Sequence, residues 1–348
     1  MFKPICKEMG DLKICRERKT EDIVKRICVI TADRVHLKRY PIDNPVTIFN
    51  PAMVIGDAGV TIYGRIIVGY FTYSSAVAEI HIPIEDLYDD IISGHYTAEI
   101  KVLPSNKFDL WGVEDPRVYE IDNRRFMTYC GRTVNYFDPS KRAERTLPVT
   151  AILEGREWRK ICVFRMPKEY RGFVISDKDA FLAKINDKLK LFHRLHLRDE
   201  NFYLVISDVP IDILKLKDFT EISIENTSLA LEPAEFEEKI GWGTPPIEIG
   251  DEYLFLLHGV DRETKSYRVF AMLMNDELRI TAITPYYIME PREAYEVYGD
   301  RPYTVFPCGA QLIDDKLLIS YGAADSAIGI GEIDLSELMA ILDSNRLD

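Results

Sequence analysis

FNPAMVIGDAGVTIYGR, residues 49–65, is the first of five stretches written to one pattern. The others are VEDPRVYEIDNRRFMTYCG from Val113, SDKDAFLAKINDKLKLFHR from Ser176, GTPPIEIGDEYLFLLHG from Gly243 and FPCGAQLIDDKLLISYG from Phe306. In each, a turn-forming motif leads into a short apolar run, a polar turn follows, and a second, strongly apolar run closes the unit. With Pro51, Pro116, Ala180, Pro246 and Gly309 as equivalent points, the steps are 65, 64, 66 and 63 residues. A fixed period of this kind is the signature of a repeat architecture.

The runs VYEI, RFMTY, KLKLF, YLFLL and KLLIS are short and rich in β-formers, and DN, ND, GD and DD stand between such runs as hairpin turns. Antiparallel sheets repeated radially give a propeller, which leaves only short, protected edges. The expected fold is therefore all-β: a five-bladed β-propeller over residues 46–348, with residues 1–45 as an N-terminal extension that docks on it or supplies a closing strand. LSELMAILDS, residues 335–344, has helical spacing and predicts a short C-terminal helix. A two-domain β-sandwich does not demand five equal steps, and a β-helix repeats at a much shorter period.

Composition narrows the function. The chain of 348 residues has a net charge of −13 and no long Lys/Arg block, which argues against nucleic-acid binding. No apolar run reaches the ~18 residues of a membrane span. The start, MFKPICKEMGDLK, has no apolar core of a secretory signal. Cys6, Cys15, Cys28, Cys130, Cys162 and Cys308 form no CxxC pair and read as reduced core residues, which points to a cytoplasmic protein. The six histidines include no HExxH, and neither a P-loop, a GxSxG elbow nor a Rossmann GxGxxG occurs, so no metal or nucleotide cofactor is expected.

In a propeller the inner strands converge on one axis, so the polar members of the repeated motif should share one pocket. These are Asn50, Arg65, Glu114, Asp115, Arg117, Lys178, Asp179, His193, Arg194, His258 and Asp325. Asp115, between Glu114 and Pro116 and close to Trp111, is placed for a raised pKa and for donating a proton to a leaving group; read structurally, it is a turn-capping Asp. Arg65, Lys178, His193, Arg194 and His258 put positive charge at strand ends of an acidic chain. That suggests a bound anion, with phosphate the natural one. GWG at Gly241–Gly243 and YGAAD at Tyr321–Asp325 read as close backbone packing.

At these residues the chain resembles glycoside hydrolase family 130, the mannoside phosphorylases and related β-mannosidases. The resemblance runs from Phe49 to Leu338 through FNPA, GVEDPR followed by MTY, KDA with LFHR, KIGWGTPP with LLHGV, and YEVYGDRPYTVFPCGA with YGAAD. It implies an inverting enzyme that moves a mannosyl unit from a β-linked manno-oligosaccharide to inorganic phosphate, giving α-mannose 1-phosphate, with phosphate as co-substrate and no other cofactor. On the same resemblance Asp115 is the general acid, acting through a hydroxyl of the mannosyl ring. Asn50, Arg65, Glu114, Asp325 and His258 fall at substrate-binding positions, and Lys178, His193 and Arg194 near phosphate-binding ones. One departure is IYGRIIVGYFTYSSAVAEI, residues 62–80, whose extra aromatics would shape the cleft wall on the acceptor side.

A phosphorolytic enzyme needs cations to hold its anionic nucleophile, whereas an inverting hydrolase needs a second carboxylate about 6.5–9.5 Å from the acid. The cationic set favours phosphorolysis. A β-mannosidase of the same fold, or a carbohydrate-binding propeller without activity, are the alternatives. The expected partners are small molecules, a β-mannoside and phosphate, and the N-terminal segment is a plausible contact element for a homo-oligomer.

Overall fold

The hairpin turns set the architecture. Asp122-Asn123 and Asn186-Asp187 all have φ between 50° and 59°, the doubly left-handed geometry that joins two twisted strands through two residues. The strands so joined assemble into five sheets in a computed structural model that describes the backbone of residues 3–4 and residues 16–56, 59–88 and 94–347.

Each sheet runs outward from an inner strand. The first contains Thr47–Gly56, Gly59–Gly69, Ser74–Ile82 and Tyr96–Val102, in that order; the second, Gly112–Ile121, Arg124–Arg132, Thr146–Glu154 and Glu157–Arg165. The third contains Val174–Ile185, Lys188–Leu197, Phe202–Asp208 and Glu225–Leu231. In the fourth, Glu237–Trp242 leads to Glu252–Asp261, Tyr267–Met274 and Ile280–Ile283. The fifth joins Val305–Ile313, Lys316–Ala323 and Ala327–Asp334 to Lys25–Thr31, so both ends of the chain build one sheet. The inner strand of the first sheet packs against those of the second and fifth, and the second against the third. The protein is a five-bladed β-propeller, as the repeat requires.

The fourth blade departs from the expected pattern. Its inner edge begins before the repeated motif, at Glu237, and is interrupted at Gly243-Thr244-Pro245-Pro246 before Ile247–Ile249 resumes pairing. Proline has no N–H for a ladder, so the strand breaks there. The C-terminal helix spans Leu335–Asp343, and its cap is Asp334, whose side chain accepts from the backbone N–H groups of Ser336 and Glu337.

The second strands are buried along nearly their whole length because neighbouring blades cover both faces. Between the third and fourth blades, Phe181, Phe192, Phe255 and Trp242 form one aromatic cluster, with Phe192 and Trp242 centroids 5.1 Å apart. The Trp242 indole donates to the His193 carbonyl at 3.2 Å, so this packing also fixes the strand that carries Arg194. Cys28, Cys130, Cys162 and Cys308 are free and buried; Cys6 and Cys15 lie outside the described residues.

Candidate active site

The repeated motif positions its polar side chains through a bulge rather than through a strand entrance. Pairing slips between Phe49 and Ala52, between Glu114 and Arg117, and between Lys178 and Phe181, the same place in three inner strands. At each slip stands an Asx residue with positive φ: Asn50 at 46°, Asp115 at 50° and Asp179 at 54°. Asn and Asp tolerate this conformation better than other L-residues, and a bulge re-aims the side chain it carries. Pro51, Pro116 and Ala180 are the residues that follow, which is why they mark the period.

The three side chains enter one cavity of about 360 Å³, which Arg65, Glu114, Lys178, Arg194 and Asp325 also line. Asp115 Oδ1 accepts from Asn50 Nδ2 at 2.8 Å and from Arg65 Nη1 at 2.9 Å. Arg65 also reaches Glu114 Oε1 at 2.8 Å, and its guanidinium lies 4.8 Å from the Phe49 ring centroid. Glu114 is fully buried and is held by three cations: Arg65, Arg132, and Lys178 at 3.4 Å. Behind this layer Arg117, fully buried, donates to the carbonyls of Asp115, Gly243 and Trp242 at 2.8, 2.9 and 3.2 Å. The backbone of Asp115 is thereby locked to the fourth blade.

Charge partitions unevenly among the carboxyls. Burial pushes Glu114 up, but Arg132, Arg65 and Lys178 outweigh it and hold the group far below the usual carboxylate range. Asp115 is subject to the same contest. Burial raises it, and Arg65, Lys178 and Arg117 bring it below its ordinary value against the repulsion of Glu114. The expectation of a raised pKa at Asp115 is thus corrected: the arginine that positions the carboxyl also stabilises its charge. The raised group is Asp325, pushed up to about 6 by burial and by the charges of Asp115 and Glu114, against the pull of Arg65 and Arg301.

Two glycine signals have steric causes here. A Cβ on Gly322 would stand 1.7 Å from Asn50 Oδ1, and one on Gly241 would stand 2.4 Å from Asp179 Oδ2 and 2.3 Å from His258 Cε1. Both backbones therefore approach the site as only glycine permits.

Three of the residues singled out from the sequence do not line the cavity: Arg117, which lies behind it, His193 and His258. His193 is fully buried, with Nδ1 2.9 Å from both Asp177 carboxylate oxygens and Nε2 2.8 Å from Ser207 Oγ. Both ring nitrogens are occupied, so the expected phosphate contact is not available to it. His258 is also fully buried, between the rings of Tyr267 and Phe306. Its Nε2 lies 3.5 Å from Asp179 Oδ2. Burial, then the nearby Arg194, Arg117, Lys239 and Arg301, keep its ring neutral. It backs the cavity wall instead of touching a sugar. Arg194 does line the cavity, with Nε 2.9 Å from Asp179 Oδ2.

A second recess, about 220 Å³, opens beside the first and shares Arg132, Tyr136 and Lys178 with it; Arg145, Thr146, Ser176 and His196 complete its polar lining. Arg132 Nε and Nη1 are buried without a hydrogen-bond partner. Arg145 is held by carbonyls of its own loop, at Asp138 and Lys141, both at 2.7 Å. His196 stacks on Phe202, with centroids 4.2 Å apart. Sequence reading missed Arg132, Arg145 and His196. For Arg132 a signal existed: it stands two residues after Cys130, the residue paired with Glu114, and strand alternation puts it on the same face. Among the described residues no group of three or more His, Cys, Asp or Glu is arranged to hold a metal ion, and no helix is long and apolar enough to cross a membrane.

Comparison with known proteins identifies the family. A family model described as beta-1,4-mannooligosaccharide phosphorylase matches residues 15–344. A beta-1,2-mannobiose phosphorylase of Thermoanaerobacter sp. strain X514 is 32% identical over 238 residues, 65% of this chain and 68% of that protein. A 1,2-beta-oligomannan phosphorylase of the same organism is 29% identical, over 66% of this chain and 71% of its own length. The solved structure of a beta-1,2-mannobiose phosphorylase from Listeria innocua, in complex with beta-1,2-mannobiose, superposes with a TM-score of 0.69 at 19% identity and covers 93% of this chain and 97% of that one. With the family pattern running through residues 15–344 and the fold shared over 93% of the chain, this protein belongs to glycoside hydrolase family 130, the family of the mannoside phosphorylases.

Proposed function

We propose that the chain is an inverting β-mannoside phosphorylase, transferring a mannosyl unit from a β-linked manno-oligosaccharide to inorganic phosphate and releasing α-mannose 1-phosphate. The observation that carries this reading is the adjacency of two unlike sites. One is a carboxyl held between Asn50 and Arg65; the other is a recess lined by Arg132, Arg145, Lys178 and His196, where Arg132 has two buried guanidinium nitrogens without partners. A buried donor without an acceptor is costly, and an oxyanion satisfies it. Phosphate is assigned to this recess. Arg194 pairs with Asp179 and has a buried Nη1 without a partner, but it lines the larger cavity and not this recess, and it is left on the sugar side.

The mannosyl unit sits against Asn50, Arg65, Asp115, Asp179 and Asp325. Phosphate attacks the anomeric carbon from the side opposite the leaving oxygen; the new C–O bond forms as the glycosidic C–O bond breaks, and the configuration inverts. Asp115 supplies the proton for the leaving oxygen through a ring hydroxyl. Incoming phosphate also prepares that acid. Its negative charge offsets Lys178, one of the cations that hold Asp115 ionised, and so favours the protonated carboxyl.

One observation favours a hydrolytic reading as the alternative. Asp325 lines the same cavity as Asp115 and is pushed up to about 6, so it is the carboxyl that would serve as general base toward water in a hydrolase. Incubation with β-mannobiose, with and without phosphate, separates the two. Mannose 1-phosphate formed only when phosphate is present supports phosphorolysis, and free mannose released in phosphate-free buffer overturns it. Among the described residues Cys28, Cys130, Cys162 and Cys308 are free and buried, which supports a cytoplasmic location.

A further inference from the structure

The cavity is polar at its floor and aromatic at its mouth. Tyr73, Tyr136 and Phe137 line it. Just outside them stand Phe71 and Tyr70, 83% and 75% exposed, with Phe137 and Tyr136 at 63% and 60%. Phe71 lies in the turn between Gly59–Gly69 and Ser74–Ile82 of the first blade, and Phe137 in the connection from Arg124–Arg132 to Thr146–Glu154 of the second. The two rings approach to 6.5 Å across the gap between blades, and Tyr136 meets Phe137 edge-on at 5.6 Å. Arg132 stacks on Tyr136 at 4.4 Å, which ties the cluster to the phosphate recess. A contiguous group of exposed aromatics has no folding rationale and marks a contact surface.

We propose that Phe71, Phe137 and Tyr136 form a stacking platform for sugar units beyond the scissile bond, so that this enzyme prefers manno-oligosaccharides of three or more units to the disaccharide. This rests on the phosphorylase reading above. The occupant follows from continuity and size. A cavity of about 360 Å³ is at the small end of ligand sites, which span about 300–1,000 Å³. A chain whose terminal mannosyl unit reaches Asn50 and Asp115 at the floor must leave through the mouth, where these rings stand. A pyranose offers a C–H face to an aromatic ring while its hydroxyls stay in water, and the negative face of the ring attracts those C–H groups. The turn Gly69–Ser74 thus sets how much of the acceptor side is recognised.

The test is kcat/KM for phosphorolysis of β-linked manno-oligosaccharides of two to five units, measured for the unaltered protein, Phe71→Ala and Phe71→Tyr. The expected result is a rise of about tenfold from the disaccharide to the tetrasaccharide, the scale of one good ring stack. Phe71→Ala flattens that rise and Phe71→Tyr restores it. A flat profile in the unaltered protein, or an unchanged slope in Phe71→Ala, overturns the proposal. If no member of the series is phosphorolysed, the phosphorylase reading fails separately, and calorimetric titration with the disaccharide and tetrasaccharide decides the platform by the same criterion. Sedimentation is run alongside: a dimer that Phe71→Ala dissociates assigns these rings to a second copy of the chain and overturns the proposal.

Discussion

Replacing Asp115 by Asn is the sharpest perturbation of the site. The side chain keeps its size, and Asn tolerates the φ of 50° that the bulge requires. Its carbonyl oxygen can still accept from Asn50 Nδ2 and Arg65 Nη1, now 2.8 and 2.9 Å from Asp115 Oδ1. Arg65 retains its pair with Glu114. What is lost is charge assistance in two hydrogen bonds, worth about 1 kcal/mol each; this is offset in part by relief of repulsion with Glu114. Net destabilisation is therefore about 1 kcal/mol, a shift of about 2–4 °C or less in melting temperature for a chain of this size. The proton, by contrast, disappears entirely. Loss of a positioned general acid lowers turnover by about 100-fold to 10,000-fold. The assay is initial-rate release of mannose 1-phosphate from β-mannobiose in saturating phosphate, with melting followed on the same preparations. A variant that retains its fold and turns over within about threefold of the unaltered enzyme would refute the role of Asp115.

Lys178→Met should raise the apparent KM for phosphate by about tenfold or more, with a smaller change in the KM for mannobiose, because its ammonium borders the recess; equal changes in both constants would move phosphate elsewhere. His193→Ala should leave the phosphate KM unchanged while costing about 3 kcal/mol in denaturant unfolding, since it strips the buried Asp177 of its partner. Asp325 is raised in the folded state to about 6, so its stabilising contribution is complete below the unfolded Asp value of about 3.9 and is lost as pH rises through 6. Asp325→Asn should therefore flatten the stability profile between about pH 4 and 6, and gain on the unaltered protein at pH 7.5, in unfolding curves taken at several pH values; an unchanged slope would contradict the assignment.

Much of the fold was legible because the period is carried by local chemistry. The Asx residues at the bulges, the residues that follow them and the paired-Asx hairpin turns leave a mark in the sequence every mid-sixties residues. The fourth inner strand was misplaced because Pro245 and Pro246 break the ladder inside the motif, and the pairing begins upstream in a stretch without a turn signal. At the site, Asn50, Arg65, Glu114, Asp115, Lys178, Arg194 and Asp325 meet at the cavity because strand register transmits their equivalence. His193 and His258 have the same residue type and spacing as a ligand but are consumed by Asp177, Ser207 and the ring stack; those partners come from other strands. Arg145 lies on a loop, where the repeat carries no information. The lowered pKa of Asp115 was equally hidden, because it depends on Arg65 crossing from the first blade to the second.

The central claim is that phosphate, held beside Asp115, attacks the mannosyl carbon from the face opposite the leaving group. Proton NMR of the first product formed from β-mannobiose in phosphate buffer, recorded before equilibration, reads this directly. The account predicts α-mannose 1-phosphate appearing with free mannose in equal amounts; the β-anomer of the phosphate, or mannose released with no sugar phosphate at all, would contradict it.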